Sequence, residues 1–466
     1  MNFRRFALIG VALPNAICSF CNTKEYAHPN IVIINIDDLG WTDLSCNGSK
    51  YYKTPNIDSL RHKGVWFSRA YAGAANSAPS RACMLTGQNT PRHGIYTVGN
   101  PDRGNSRLRR LISFPNKTSL DSGTQILPKA LQDCGYQTFH VGKWHVTKNP
   151  LECGMDVNIG GNHAGNPSTY FAPYRNANLA DGIDGEFLTE RLGNEAVALI
   201  RNRDKKKPFF LYYATYAVHT PLQAPDSIVE KYRNKQSNSA HDNPVYAALV
   251  ESMDRNVGKV LNTITEEGLS ENTLIIFTSD NGGVYDISRQ WPLRAGKGSF
   301  YEGGIRVPLV IYQKSRFEQG EVNDVAVSQL DIFPTLLELT GAQSDNFLLD
   351  GTSLVSLLTH NDKSSFCDRP LFWHFPAYLE GGNIETVDMD FRTRPVSVVL
   401  KDNWKLIENY EDNSLEIYDL QTDLSERNNL ADKEVSKAKE LLSLLNSWKA
   451  ETNAPTNFLP NPSFKP

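Results

Sequence analysis

A chain of 466 residues is long enough to form two or three structural units around sizeable cores. Its 48 Lys and Arg against 52 Asp and Glu give a net charge of −4, which excludes a basic nucleic-acid-binding or polybasic membrane surface. With 40% hydrophobic and 21% charged residues the chain also falls outside the disordered class.

The chain begins with Arg4 and Arg5 followed by the apolar run Phe6–Leu13. That run is too short to span a bilayer, and its basic-then-apolar order reads as an export signal over residues 1–22. Cys18 and Cys21 are candidates for lipidation, although Ile17 and Phe20 are bulkier than the small residue a signal peptidase prefers. The expected location is therefore the periplasm or the cell surface, with at most a lipid anchor holding the protein to a membrane. Beyond the signal, Cys46, Cys83, Cys134, Cys153 and Cys367 form neither a disulfide framework nor a zinc pattern. One bridge at most is expected, and the other thiols read as buried.

Residues 27–365 alternate continuous apolar runs with amphipathic segments. The runs are Ile31–Ile36, Thr138–Val141, Phe209–Tyr213, Leu274–Thr278 and Val307–Tyr312. Continuous apolarity fits strands buried on both faces, as in parallel sheets. Between them, Pro244–Glu266 and Val327–Thr340 carry helical patterns, so an α/β unit with helices on both faces of a mainly parallel sheet is expected. Residues 366–466 read as a smaller α+β subdomain. Short strands over Pro395–Leu400, Trp404–Asn409 and Leu415–Asp419 form an antiparallel meander. A terminal helix follows, with Val435, Ala438, Leu441, Leu442, Leu445 and Trp448 on one face.

Ligands of open α/β sheets bind beyond the carboxyl ends of the strands. There the first run leads into Asp37-Asp38, the second into Lys143 and His145, the third into His219, and the fourth into Asp280-Asn281. Asp37, Asp38, Asp280 and Asn281 form an all-oxygen set that suits a hard cation such as Ca²⁺ or Mg²⁺ better than zinc. Taken singly, Asp37-Asp38 could cap a helix and Asn281-Gly282 could make a tight turn. The segment from Ser77 to Gly87 reads as a helix start, with Ser77 as N-cap and Gly87 as terminator. A helix N-terminus favours anions, and Arg81 one turn on can fork onto oxygens of a group held at Ser77. A serine, a metal and several cations are what phosphoryl or sulfuryl transfer requires. Glycines beside Lys143 and Lys297 suggest close backbone approach to a ligand.

Ser77-Ala-Pro-Ser-Arg81 with the following Leu85-Thr-Gly87 resembles the signature of type I sulfatases of the alkaline-phosphatase superfamily. The resemblance extends to Asp37-Asp38, Gly-Lys143-Trp-His145, His219-Thr-Pro, Asp280-Asn281-Gly-Gly, Leu293–Gly304, Ile417–Leu420 and Glu426–Leu430. It implies an alkaline-phosphatase-like fold and a secreted carbohydrate sulfatase. It also implies that Ser77 is converted to formylglycine (3-oxoalanine), whose hydrated gem-diol attacks sulfur. One Ca²⁺, with Mg²⁺ the less favoured ion, would be held by Asp37, Asp38, Asp280 and Asn281 and touch residue 77. Arg81 and Lys143 would steady the diol and sulfate, and Lys297 and His219 would bind sulfate oxygens. His219 would protonate the leaving alcohol, and His145 would take the proton that lets sulfate leave and the aldehyde re-form.

Serine, where cysteine is the commoner precursor, implies a radical-type maturase that accepts serine, or a chain in which cysteine was exchanged for serine. The expected substrate is a sulfated glycan, of glycosaminoglycan, mucin or other type. Arg294 and His374 are candidates for recognising its organic part, and Trp291, Tyr301, Trp373 and Tyr378 for stacking on sugar faces. Two alternatives stay open on sequence: a metal-dependent phosphoesterase using Ser77 directly, and a non-catalytic sulfoglycan-binding protein.

Overall fold

The computed structural model describes residues 28–237, 240–314, 316–317, 320–342 and 347–465. The export signal read over residues 1–22, with Cys18 and Cys21, lies outside them. Among the described residues no helix is long and apolar enough to cross a membrane.

Eight strands build the main sheet: β1 (Asn30–Ile36), β2 (Val65–Phe67), β3 (Gln137–Gly142), β4 (Val157–Ile159), β5 (Phe209–Thr215), β6 (Thr273–Ser279), β7 (Leu309–Tyr312) and β8 (Val322–Asn323). Their order is β8-β2-β7-β6-β1-β5-β3-β4. The five strands from β6 to β4 run parallel, and β7 lies antiparallel to both β6 and β2. All seven residues of β1 are buried because the sheet is covered on both faces. Val32, Ile34 and Ile36 enter one core, and Ile31 and Ile33 enter the other. Each fully buried Ile contributes roughly 1.5–3 kcal/mol, so burial on both sides fixes where this strand lies.

The first core is closed by two helices, α2 (Leu188–Asn202) and α3 (Pro244–Glu266). Pro244 occupies the first turn of α3, and the Asn243 side chain accepts from the Val245 and Tyr246 amides. Leu249, Met253, Val257, Val260 and Ile264 then recur at helical spacing and bury against the sheet. The second core lies under α1 (Ser77–Thr86) and α4 (Ile332–Thr340).

Two boundaries differ from the sequence reading. The helix expected over Val327–Thr340 begins at Ile332. Val327–Ser328 instead pairs with Ala70–Tyr71, and the Ser328 side chain accepts from Leu330 to start a 3₁₀ turn. The run Val307–Tyr312 is split at Pro308, which has no amide to donate.

The C-terminal sheet adds a strand the sequence reading lacked, β9 (Leu371–Phe375), beside β10 (Val396–Lys401), β11 (Trp404–Asn409) and β12 (Leu415–Asp419). Its two faces divide by alternation. Trp373, Val398, Ile407 and Tyr418 pack on Tyr71, Phe300 and Ile305 of the main body. Val399, Leu406 and Ile417 pack under α5 (Val435–Glu451). On α5 the buried residues are Ala438, Leu441, Leu445 and Trp448, whereas Val435 is exposed and Leu442 half-buried. All five described cysteines are free.

Candidate active site

The parallel strands converge their carboxyl ends on one point. Asp37 and Asp38 follow β1, Asp280 and Asn281 follow β6, and Lys143 and His145 follow β3. His219 follows β5. Because β6, β1, β5 and β3 are neighbours in the sheet, all seven residues meet in space.

Ser77 is the first residue of α1, with Asn76 in the extended cap position, so the sequence reading placed the cap one residue late. Gly87 ends the helix in the left-handed conformation, φ 67°, as its identity suggests. The Ser77 Oγ lies 3.3 Å from Asp37 Oδ1 and 3.2 Å from Asn281 Oδ1. One turn on, Arg81 donates through Nε to Asp280 Oδ2 at 2.8 Å and through Nη1 to the Lys143 carbonyl at 3.0 Å.

Lysines cover the two leading carboxylates. Lys143 Nζ donates to both Asp37 oxygens at 2.8 and 2.9 Å. Lys297 Nζ reaches Asp38 Oδ2 at 2.7 Å. His219 Nε2 lies 3.5 Å from Asp38 Oδ2, while its Nδ1 lies 2.8 Å from the Thr220 carbonyl. A carbonyl accepts only, so Nδ1 carries a hydrogen and Nε2 is the atom free to exchange a proton.

Electrostatics follow from this burial. Burial pushes the Asp37 carboxyl up; Lys143 opposes it, and Asp280 and Asp38 reinforce it. Burial also acts on Asp38, but Lys297 and His219 outweigh it and hold Asp38 low. Against burial, Arg81 and Lys143 hold Asp280 well below the usual carboxylate range. Burial, aided by Lys143 and Arg81, holds His145 well below its ordinary value, so its ring is neutral at pH 7.

Three features set the cluster apart from an ordinary core. Asp38 and His145 adopt left-handed φ of 61° and 63°, a conformation that residues other than glycine rarely take. Arg81 Nη2 and His145 Nδ1 are buried without a hydrogen-bond partner. The cluster opens into a cavity of about 450 Å³ lined by Asp38, Ser77, Lys143, His145, His219 and Lys297.

The donor chemistry fits a hard cation. Asp37, Asp38, Asp280 and Asn281 present buried oxygens, and Asp37 stays raised in spite of Lys143, a balance that a divalent ion would relieve. Oxygens of Asp37 and Asp38 and a ring nitrogen of His219 also come within 4.8 Å of one another. The all-oxygen set suits a hard cation better than one that includes an imidazole.

Other expected residues lie elsewhere. Arg294 stacks over Tyr301 at 3.7 Å and donates to the Glu385 and Glu426 carbonyls at 2.8 and 2.9 Å. His374 is buried between Ser397 Oγ at 2.7 Å and the Pro455 carbonyl at 3.0 Å, and burial drives its ring down to about 3. Both are structural, and neither lines the site cavity. Tyr301, Trp373 and Tyr378 are core residues, whereas Trp291 is 65% exposed beside a neighbouring cavity. The glycines also have a different reason. A Cβ on Gly142 would meet the Ala214 carbonyl at 2.1 Å, and one on Gly296 the Gly283 carbonyl at 2.4 Å, so they admit backbone rather than ligand.

Arg103, Asn166, Leu379 and Arg392 also line the cavity. No motif flagged them, because they come from loops and from a short hairpin, Leu379–Glu380 with Phe391–Thr393, that only the fold brings to the site.

Residues 29–342 match the family described as Sulfatase, and residues 296–451 match the N-sulphoglucosamine sulphohydrolase C-terminal family. A protein of Formosa agariphila described as a sulfatase is 32% identical, over 97% of this chain and 95% of its own. The N-acetylgalactosamine-6-sulfatase of Mus musculus is 31% identical, over 74% of this chain and 68% of its own. The crystal structure of Ps i-CgsB in complex with k-i-k-neocarrahexaose aligns with a TM-score of 0.75 at 28% identity, over 91% of this chain and 93% of that one. With the signature serine at the head of α1 and the strand-end carboxylates around it, the chain belongs to the sulfatase family and is a sulfuric ester hydrolase of alkaline-phosphatase-like fold.

Proposed function

We propose that this protein is an exported sulfatase that removes sulfate from a sulfated carbohydrate, with Ser77 converted to formylglycine by a serine-accepting radical-type maturase. The observation that carries the reading is Ser77 itself. It sits at the positive end of α1, within 3.3 Å of Asp37 and 3.2 Å of Asn281, on the floor of a cavity walled by Lys143, Lys297, His145 and His219. The glycan reading draws support from relatives named for sugar sulfates and from a neighbour solved with k-i-k-neocarrahexaose.

Asp37, Asp38, Asp280 and Asn281 would hold one Ca²⁺, with Mg²⁺ less suited to so crowded a set of protein oxygens. Bound there, the ion would stabilise negative charge developing on the oxygen at residue 77 and on the sulfate. Lys143 and Arg81, both buried, supply further positive charge in a dry setting, where it acts most strongly, and the half-buried Lys297 adds to it. One hydroxyl of the hydrated aldehyde attacks sulfur and gives its proton to the neighbouring Asp37 carboxylate, while His219 passes its Nε2 proton to the leaving alcohol as the bond from sulfur to that alcohol breaks. His145, neutral, then takes a proton from the remaining hydroxyl, so that sulfate departs and the aldehyde re-forms. An unmodified seryl sulfate would have no such internal route.

Mass spectrometry of the tryptic peptide Ala70–Arg81 from protein made in its native host tests the reading. Residue 77 is expected to weigh two hydrogens less than serine, and an intact serine in active protein overturns the mechanism. Chelation is expected to lower the melting temperature and Ca²⁺ to restore it more fully than Mg²⁺.

A further inference from the structure

The outer wall of the site cavity carries two arginines that the sulfate chemistry does not use. Arg103 is held bidentately by Glu380, through Nε at 2.9 Å to both oxygens and Nη2 at 2.6 Å to one. Arg392, on the opposite strand of the same hairpin, donates Nε to the Gly381 carbonyl at 3.0 Å. Among the described residues its guanidinium has no carboxylate within ion-pair distance, though it acts on Glu380 at longer range. Gly298, next to Lys297, lets the Arg392 stem lie close, since a Cβ there would stand 3.1 Å from Arg392 Cδ. The wall therefore presents two guanidinium groups to the same cavity as Ser77, one of them paired with Glu380, which is not itself part of the lining.

We infer that Arg392, with the Arg103–Glu380 pair beside it, is a subsite for a second anionic group on the substrate, a further sulfate or a carboxylate on the sugar whose sulfate is cleaved. This rests on the carbohydrate reading above. Arginine's planar fork suits either oxyanion, and a cation left unpaired on a half-buried wall is one a ligand can pair without first displacing a protein carboxylate. Glu380 tunes the subsite by holding Arg103 and by repelling an incoming anion.

The test compares matched disaccharides that carry the scissile sulfate alone, with a second sulfate, or with a uronate, on mature full-length enzyme. The readout is kcat/KM, with affinity measured by calorimetry on enzyme made inactive by leaving Ser77 unmodified. For Arg392→Gln the preference for the doubly anionic substrates is expected to fall about 10-fold through KM, with Arg392→Lys intermediate. For Glu380→Gln the same preference is expected to rise, a change of sign that loss of hairpin packing cannot produce. Whether the sulfate or the uronate pair shows the larger change identifies the anion. Equal losses on singly and doubly anionic substrates, or parallel losses in both variants, overturn the subsite. If wild-type enzyme cleaves 4-nitrophenyl sulfate but none of the disaccharides, the carbohydrate reading itself falls, and the subsite falls with it.

Discussion

Two buried ion clusters lie about the segment Leu293–Gly304, and they do opposite things. One is the strand-end cluster of Asp37, Asp38 and Asp280 with Arg81, Lys143 and Lys297. The other joins Lys405 to Glu302 at 3.2 Å and to Glu426 at 2.8 Å, with Tyr71 and Arg306 on the far oxygen of Glu302. Lys405, Glu302 and Glu426 are wholly buried, and none of these five residues lines the site cavity. Their charges are turned on one another, across the join between the main body and the C-terminal sheet. The strand-end cluster instead opens, through Asp38, Lys143 and Lys297, into the cavity that Ser77 also lines. Buried charge alone therefore does not mark function; an opening onto a cavity does. The closed cluster still serves the open one. Arg294 and Glu302 flank Lys297 in sequence and are both tied to C-terminal residues, so the lysine is carried on a segment braced from two sides.

The contrast can be broken from either end. Ser77→Ala removes the atom on which the open cluster converges. Activity is expected to fall by on the order of 10⁴-fold or more, measured as sulfate release, while the thermal unfolding midpoint shows whether the fold persists. His219→Gln should cost about 10²–10⁴-fold on a sugar sulfate. The loss should be smaller on 4-nitrophenyl sulfate, whose phenolate leaves with little help from an acid. Equal losses on the two substrates would place His219 in binding rather than proton transfer.

Lys405→Met attacks the closed cluster. It leaves two carboxylates buried with fewer cations, at an expected cost of about 3–5 kcal/mol in denaturant unfolding. If the brace works as described, kcat also falls through the Lys297 segment while Ser77 is untouched.

The smallest expected effect is a pH dependence. Burial raises Glu426 to about 7, with Lys405 opposing and Glu302 reinforcing. A raised folded value means that its contribution to stability is full below the unfolded value near 4.5 and is lost as pH rises through about 7. Glu426→Gln does not titrate. The melting temperature of wild type minus that of the variant should therefore fall between pH 5 and 8, by a few degrees at most. A flat difference would show that Glu426 stays charged throughout.

The amino-acid sequence by itself determined the floor of the site. Strand runs buried on both faces must sit inside a covered sheet, so the polar residues that end them, Asp37, Lys143, His219 and Asp280, must gather at one edge. Helix α3 was legible from Pro244 to Glu266 because its apolar spacing and Asn243 cap agree. Short elements were less legible: β9 carries no alternating pattern, since Leu371, Trp373, His374 and Phe375 are all buried. His374 and Arg294 resembled recognition residues in sequence, because a polar side chain among aromatics reads the same whether its partner is a ligand or a carbonyl. Only the tertiary structure decided that Ser397 and Pro455 take the one, that Glu385 and Glu426 take the other, and that Arg103 and Arg392 reach the cavity instead. The physical reason is range. Burial and periodicity are written in neighbouring residues, whereas the wall of a cavity is set by which distant loops the packed sheets bring together.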